Sequence, residues 1–357
     1  MQFTEDELKV INTDRYQPSV SIVLSVYPGD INYKLRQAEN QINKELSDAY
    51  PDDIVKTMRE RLHQTITKID TTTLKKTLVI YVSPVVAQVF DLEITADEKI
   101  TINESFEIRD LVYARQKFTK FLILLLTGSH GKMFQAEAGH ITPLPTNIQQ
   151  NIEAYENDIS TRVANFSDPD KRKEVLLDKL LHHADKELSG ILNTNPLPVF
   201  VVGPKKEVGH FASITHNGGQ IANTIFGSYD NETLEDLMEV LTPYVKKWEK
   251  TKERALLQQL ENAQNAALVD FGIHMVWKTA NEKNARLLIV EKNYKYPAEY
   301  VTPGVIRQHT DTARNTLFVK DAVDDVIEKV IGDRGEVRFV ENGMLDDYLH
   351  IALIRYF

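Results

Sequence analysis

Phe121-Leu122-Ile123-Leu124-Leu125-Leu126 is the longest unbroken apolar run in the chain. Six residues are far too few to cross a bilayer, which takes about 20. A run of this length, closed by Thr127-Gly128-Ser129-His130-Gly131, reads as a buried strand ending in a turn. Lys132 to Ala136 reads as the strand that returns. The second such run, Val199 to Val202, is stopped by Gly203-Pro204, and a helical pattern from Lys171 to Leu188 lies between the two. Strand, loop, helix and strand predict an α/β domain in the middle of the chain.

A chain of 357 residues is too long for one ordinary core, so two or three domains are expected. Before the middle domain, Val20, Ile22 and Leu24 alternate with polar residues in a strand over Ser19–Ser25. A helical stretch from Ile31 to Asp70, interrupted near Pro51, follows. Thr77 to Val82 and Val86 to Leu92 read as strands joined around Pro84, and 106–118 as a helix or an extended connector. Thr4 and Glu7 have capping-box spacing at the N-terminus. After the middle domain, Asn231 to Leu241 is helical, and Thr242-Pro243 predicts a second helix start. Leu234, Leu237, Met238, Leu241, Val245 and Trp248 share one face, read as core packing between domains. A helix to about Thr279, a strand at Ala285–Glu291, a helix over 320–331, a turn at 332–335 and strands at 336–340 and 349–357 predict an α/β sandwich. The polar stretch from Thr142 to Asp170 reads as a long loop.

The absence of cysteine removes disulfides, thiol nucleophiles and thiolate zinc sites. The first residues, Met1 to Glu7, lack the basic and apolar regions of a signal peptide, so a cytoplasmic protein is expected. The formal net charge is −10. Proteins that hold nucleic acid through phosphates present at least one basic face. Two basic clusters exist, Lys171-Arg172-Lys173 and Lys246-Lys247-Lys250-Lys252. They are the candidate RNA contacts, against the alternative of solvated helix faces. Neither DNA binding nor a membrane is expected.

Several ordered segments carry a family resemblance. Pro18-Ser19-Val20-Ser21-Ile22-Val23-Leu24, Thr77-Leu78-Val79-Ile80-Tyr81-Val82-Ser83, Val201-Val202-Gly203-Pro204, Arg286-Leu287-Leu288-Ile289-Val290-Glu291 and Ile351-Ala352-Leu353-Ile354-Arg355-Tyr356 stand in the order and spacing of strands in one known family. The chain resembles the bacterial homologues of the archaeo-eukaryotic class I release factor, relatives of Pelota. The resemblance implies three domains: an N-terminal α+β domain over 1–117, an RNase H-like middle domain over 118–245, and a C-terminal α/β domain over 246–357 related to kink-turn RNA-binding ribosomal proteins. It implies ribosomal RNA or tRNA as partner and work in termination, rescue or hibernation. It implies no cofactor, and leaves the oligomeric state open.

Release factors of this class use Gly-Gly-Gln to place a glutamine and a water at the peptidyl-tRNA ester. The chain has Asn217-Gly218-Gly219-Gln220. Adjacent glycines permit close backbone approach, and the glutamine amide both donates and accepts. Against hydrolysis stand two facts. The family's loop falls earlier in the domain, where this chain has the segment between His140 and Lys171. No Lys or Arg occurs between Lys206 and Lys246 to offset phosphate charge. The alternatives are therefore a plain Asn-Gly-Gly turn and a catalytic tip at Gly218, Gly219 and Gln220. The family's Asn-Ile-Lys-Ser loop for stop codons is absent from the first domain.

Other signals are local. Gly128-Ser129-His130-Gly131-Lys132 lacks the spacing of a phosphate-binding loop and reads as a turn. Nuclease chemistry on two metal ions needs several carboxylates, yet the first middle strand has none and the second ends in Glu137 alone. His182 and His183 point about 100° apart on a helix, while Asp178 and His182 could share an ion at i,i+4 spacing; a solvated helix face is the other reading. No metal site is expected. No Ser/His/Asp grouping stands out by spacing, and such groupings assemble from distant residues.

Overall fold

Every apolar residue of the run at 121–126 is buried, and the run divides between two cores. In a computed structural model that describes residues 3–13, 18–27, 29–117, 120–137, 139–149, 152–158, 169–230, 232–302, 304–309 and 318–357, it forms strand β5 (Phe121–Leu126). β5 lies at the centre of a five-stranded sheet ordered β7-β6-β5-β8-β9. Strands β6 (Gly131–Glu137) and β7 (His140–Pro143) run antiparallel on one side; β8 (Val199–Gly203) and β9 (Ile221–Phe226) run parallel to β5 on the other. Helices α5 (Pro169–Thr194) and α6 (Lys205–Ile214) cover one face, where Leu122, Leu124 and Leu126 meet Leu180, Leu188 and Phe211. Helix α7 (Leu234–Asn265) covers the other, where Phe121, Ile123 and Leu125 meet Leu237 and Leu241. A strand buried on both faces has no polar side to show, which is why its sequence does not alternate.

The fold divides into two compact units. One is this middle unit, Phe118–Ala255; the other comprises Met1–Lys117 together with Leu256–Phe357. The chain is mixed α/β with several sheets, as expected.

In the second unit the N-terminal sheet is ordered β3-β2-β1-β4. Strands β1 (Ser19–Ser25), β2 (Thr77–Val82) and β3 (Ala87–Leu92) fall where the sequence pattern puts them, and β4 (Lys99–Asn103) was not anticipated. Helices α2 (Ile31–Ala49) and α3 (Asp52–Thr67) break at Pro51 and bury Leu35, Ile42, Leu46, Met58 and Leu62 against Val20, Ile22 and Ile80. Helix α1 (Glu5–Ile11) carries the capping box of Thr4 and Glu7. Alternation along β1 would leave Ser19 and Ser21 in water. Both are buried, because the segment leading to α4 (Arg109–Lys117) covers that face: Glu107 N donates to Ser21 Oγ at 3.0 Å, and Tyr81 OH donates to Glu107 O at 2.9 Å.

The other sheet of this unit is ordered β10-β16-β11-β15. It pairs β11 (Ala285–Glu291) in parallel with β15 (Glu336–Val340) and antiparallel with β16 (Ile351–Arg355); β10 (Val269–Phe271) edges it. Helices α8 (Ile273–Asn281) and α9 (Ala322–Gly332) pack on each other and on its strands. Three short strands, β12 (Ala298–Thr302), β13 (Val305–Gln308) and β14 (Phe318–Val319), form a small sheet that the sequence did not suggest.

Two expectations are corrected. Thr242-Pro243 does not restart a helix: α7 runs continuously through Pro243. Proline removes the N–H that would bond to Glu239 and crowds that residue's carbonyl, but keeps a helical φ. Leu237 and Leu241 on one side of it and Val245 and Trp248 on the other all pack on the middle sheet, which holds both halves in line. The true start is Thr233, whose Oγ1 accepts Asp236 N at 3.2 Å while Asp236 Oδ2 accepts Thr233 N at 3.2 Å. The stripe on α7 is thus core of the middle unit, with Leu234 exposed at its edge. Asn231, and positions 150, 151 and 159–168 of the expected long loop, lie outside the described residues.

Gly203 is required by packing. A Cβ there would lie 2.3 Å from Leu126 O on β5, so only glycine lets β8 end against that strand.

Candidate functional site

The turn that carries Gly218, Gly219 and Gln220 is fastened to helix α5 by one carboxylate. Asp185 is 4% exposed. It accepts Thr215 Oγ1 at 2.5 Å, His216 N at 3.2 Å, His216 Nδ1 at 2.9 Å and Asn217 Nδ2 at 2.8 Å. Asn217 Nδ2 also reaches Ser189 Oγ at 2.8 Å. Burial pushes the Asp185 carboxyl up, but the donors on Thr215, His216 and Asn217 outweigh it and hold the pKa below the usual carboxylate range.

Gly218–Gln220 then form a single 3₁₀ turn, closed by Gln220 N donating to Asn217 O at 3.0 Å, and β9 follows directly. The three residues are exposed on a short turn beside the sheet. Neither glycine has left-handed backbone angles, and none of the described residues lies within 4 Å of a Cβ added at either. Local geometry makes no demand for glycine here.

The basic clusters sit apart. Lys171, Arg172 and Lys173 open α5, on one face of the middle sheet, whereas Lys246, Lys247 and Lys250 lie on α7, on the opposite face. Lys171, Lys173, Lys246, Lys247 and Lys250 are exposed. Lys252 lies over the Trp248 ring at 4.4 Å.

The adjacent histidines do face different partners. Asp178 lies 3.6 Å from His182 Nε2 and 3.1 Å from His210 Nε2 on α6, a neighbour that helical spacing could not reveal. His183 Nδ1 meets Tyr155 OH at 2.8 Å. Glu137 pairs with Lys120 at 2.9 Å.

A buried charge network lies in the second unit. Lys99 lies 3.0 Å from Glu107 and 2.9 Å from Asp110. Asp324 accepts Ile108 N at 3.3 Å and Arg109 N at 2.9 Å, at the start of α4, and Arg109 pairs with Asp321 at 2.7 Å. Burial opposes the Lys99 charge, but Asp110 and Glu107 win and raise its pKa. Burial likewise raises Asp324 and Asp321. These residues are scattered between positions 99 and 324, with no spacing to betray them. Among the described residues, Glu291, Asp346 and His350 could also hold a metal ion. Glu291 Oε1 already accepts the N–H groups of Gly343 and Leu345, both at 2.9 Å, and Oε2 faces His350 Nδ1 at 2.9 Å, which suits a loop anchor.

Comparison with known proteins gives the class. Residues 120–284, a little under half of the chain, match the family described as Bacterial archaeo-eukaryotic release factor family 3, so the scaffold is release-factor-like. Over those residues the chain is similar to the bacterial homologues of the archaeo-eukaryotic release factor. No curated protein matches it. Solved structures that resemble it include archaeal Pelota, ribosome-bound with ABCE1 (13% identity, 78% of each chain, TM-score 0.45). Dom34 of S. cerevisiae, a termination-like factor that interacts with Hbs1, is similar at 13% identity over 82% of this chain and 77% of that one, TM-score 0.38. The archaeal termination factor aRF1 is similar at 12% identity over 98% and 96%, TM-score 0.25. No helix of the described residues is long and apolar enough to cross a membrane.

Proposed function

We propose that the protein is a ribosome-associated factor on a release-factor scaffold, acting in rescue, hibernation or stress response without reading stop codons. The family match over 120–284 carries this reading. Its partner is the ribosome, through ribosomal RNA or tRNA, and its compartment the cytoplasm. The three-domain division belongs to the same proposal: 1–117, an RNase H-like 118–245 and a kink-turn-protein-like 246–357. The 245/246 boundary falls inside α7, so the division is one of lineage rather than of separable pieces.

Peptide release is not part of the favoured activity. The Gly-Gly-Gln turn is short, and the residues between Lys206 and Lys246 offer no cation to a phosphate backbone. Co-sedimentation with ribosomes from starved or antibiotic-treated cells tests the proposal. Binding is expected, and a chain that stays in the supernatant would instead be an RNA- or protein-binding module with no ribosomal role. Lys246→Glu with Lys247→Glu should weaken sedimentation if α7 faces RNA; unchanged sedimentation removes those lysines.

One observation favours the second reading, peptidyl-tRNA hydrolysis by Gln220: the open space around Gly218 and Gly219. Release of labelled peptide from stalled ribosomes, abolished by Gln220→Ala, would establish it.

A further inference from the structure

The turn between β5 and β6 brings together what the linear sequence did not: a serine, a histidine and an aspartate in contact. Ser129 Oγ lies 3.2 Å from His130 Nδ1. On the other side of the ring, His130 Nε2 lies 2.8 Å from Asp230 Oδ1, which follows β9 by only a few residues. The second contact is an ion-pair approach with the carboxylate off the N–H axis, since Nε2 has no aligned hydrogen bond. The His130 side chain is 15% exposed and that of Asp230 38%, so the ring is enclosed and the neighbouring carboxylate wetted.

Thr127 sets the geometry. It is 6% exposed, and its Oγ1 accepts Ser129 N at 3.2 Å and His130 N at 2.9 Å. Those two bonds fix the backbone from which both side chains project. Thr127 Oγ1 also lies 3.4 Å from Ser129 Oγ. The cluster sits where β5, β8 and β9 end, and in open sheets with parallel strands the carboxyl ends are where ligands bind. Glu207, in the first turn of α6, reaches the same turn: its Oε1 is 3.6 Å from the Cβ position of Gly128. Among the described residues its Oε2 is buried with no hydrogen-bond partner. A buried acceptor without a donor is costly, and a donor on a ligand would satisfy it.

We propose that Ser129, His130 and Asp230 form a nucleophilic site for carboxylic esters whose acyl part carries a hydrogen-bond donor for Glu207. His130 Nδ1 takes the Ser129 proton as Oγ bonds to the carbonyl carbon. The tetrahedral adduct collapses, the ester C–O bond breaks, and His130⁺ returns the proton to the leaving alkoxide. A water, deprotonated by the same nitrogen, then attacks the acyl-serine; the C–Oγ bond breaks as His130⁺ returns that proton to Oγ, releasing the acid and restoring Ser129. Asp230 stabilises the imidazolium in both halves. This site is independent of the ribosomal reading and of Gln220.

A fluorophosphonate probe tests it on the full chain, because Ser129 Oγ would bond to phosphorus and expel fluoride with the proton that His130 removes. The expected result is one labelled serine, mapped by peptide mass spectrometry to Ser129 and lost in Ser129→Ala. His130→Ala should slow labelling about 100-fold, within the range of a lost general base. Asp230→Asn should slow it about fivefold, as suits a half-exposed pair. Thermal unfolding of each variant identifies one that is misfolded, and Ser129→Thr then serves as a replacement that keeps the hydroxyl and labels slowly. No label on the folded native chain, or a label that survives Ser129→Ala, overturns the proposal. Alanine p-nitrophenyl ester should be cleaved faster than the acetate, and Glu207→Gln should narrow the difference; equal rates would remove Glu207 from the site.

Discussion

Replacing Asp185 with alanine should cost about 2 kcal/mol, and the figure follows from which of its partners are shielded from water. The His216 side chain is 83% exposed, so its contact with the carboxylate is screened and is set at zero. The bonds from Thr215 Oγ1 and Asn217 Nδ2 are shielded, and hydrogen bonds to a charged group contribute about 1.5 kcal/mol each at the lower end. That gives about 3 kcal/mol. Relief from burying the carboxylate offsets part of this, and about 2 kcal/mol remains. The chain has two tryptophans, Trp248 in the middle unit and Trp277 in the other. In a Trp277→Phe background, Trp248 fluorescence therefore reports on the middle unit alone during a urea titration. Asp185→Ala should unfold at lower urea with an unchanged slope. The amides of His216 and Asn217 should also exchange faster with solvent. A loss below 0.5 kcal/mol, roughly the scatter of surface substitutions, would mean that the carboxylate does not hold the turn.

Further expectations are simpler. Gly203→Ala forces a Cβ to within 2.3 Å of Leu126 O and should destabilise the middle unit by about 3 kcal/mol, or prevent its folding, as read by the same titration. Pro243→Ala restores an N–H facing Glu239 and should stabilise α7 by about 1 kcal/mol or more, visible as a higher melting temperature; no change would mean that the backbone does not close the missing bond. The folded pKa of Asp185 is depressed, so its contribution is present above the unfolded value of about 3.9 and is lost as pH falls through the folded value. Acid titration of Asp185→Ala should therefore show a shallower loss of stability below about pH 4. Lys99 has a raised pKa, so its contribution is full below about pH 10.4 and is lost as pH climbs through the folded value; Lys99→Met should flatten the alkaline limb.

Long elements were legible because their patterns had one cause. β1 follows its alternating residues and β2 its apolar run, and α2 and α3 part at the only proline between them. What escaped was held by partners remote in sequence. Helix α6 fits within ten residues between Pro204 and Thr215, too short for a period to declare itself. Strands β12 and β13 are short and largely polar or exposed, and β14 has only two residues. Pro243 was read by local rule as a beginning, whereas packing on both sides overrode it. The candidate sites divide the same way. Gly218-Gly219-Gln220 was visible as a string, but its anchor, Asp185, lies more than thirty residues earlier on another element. Ser129 and His130 were visible as a turn, and only the return of the chain at Asp230 brings a carboxylate to the histidine.

The open surroundings of Gly218 and Gly219 bear on how these positions change over generations. Backbone angles and neighbours tolerate a side chain at both. Gly203 is different, because its neighbour forbids any side chain. Folding therefore purges replacements at 203 and is blind to those at 218 and 219. Among close relatives of this chain, drift at the pair would mean that nothing docks there. Persistence of both glycines would be the mark of a partner pressing against the turn, since the fold itself exerts no pressure to keep them.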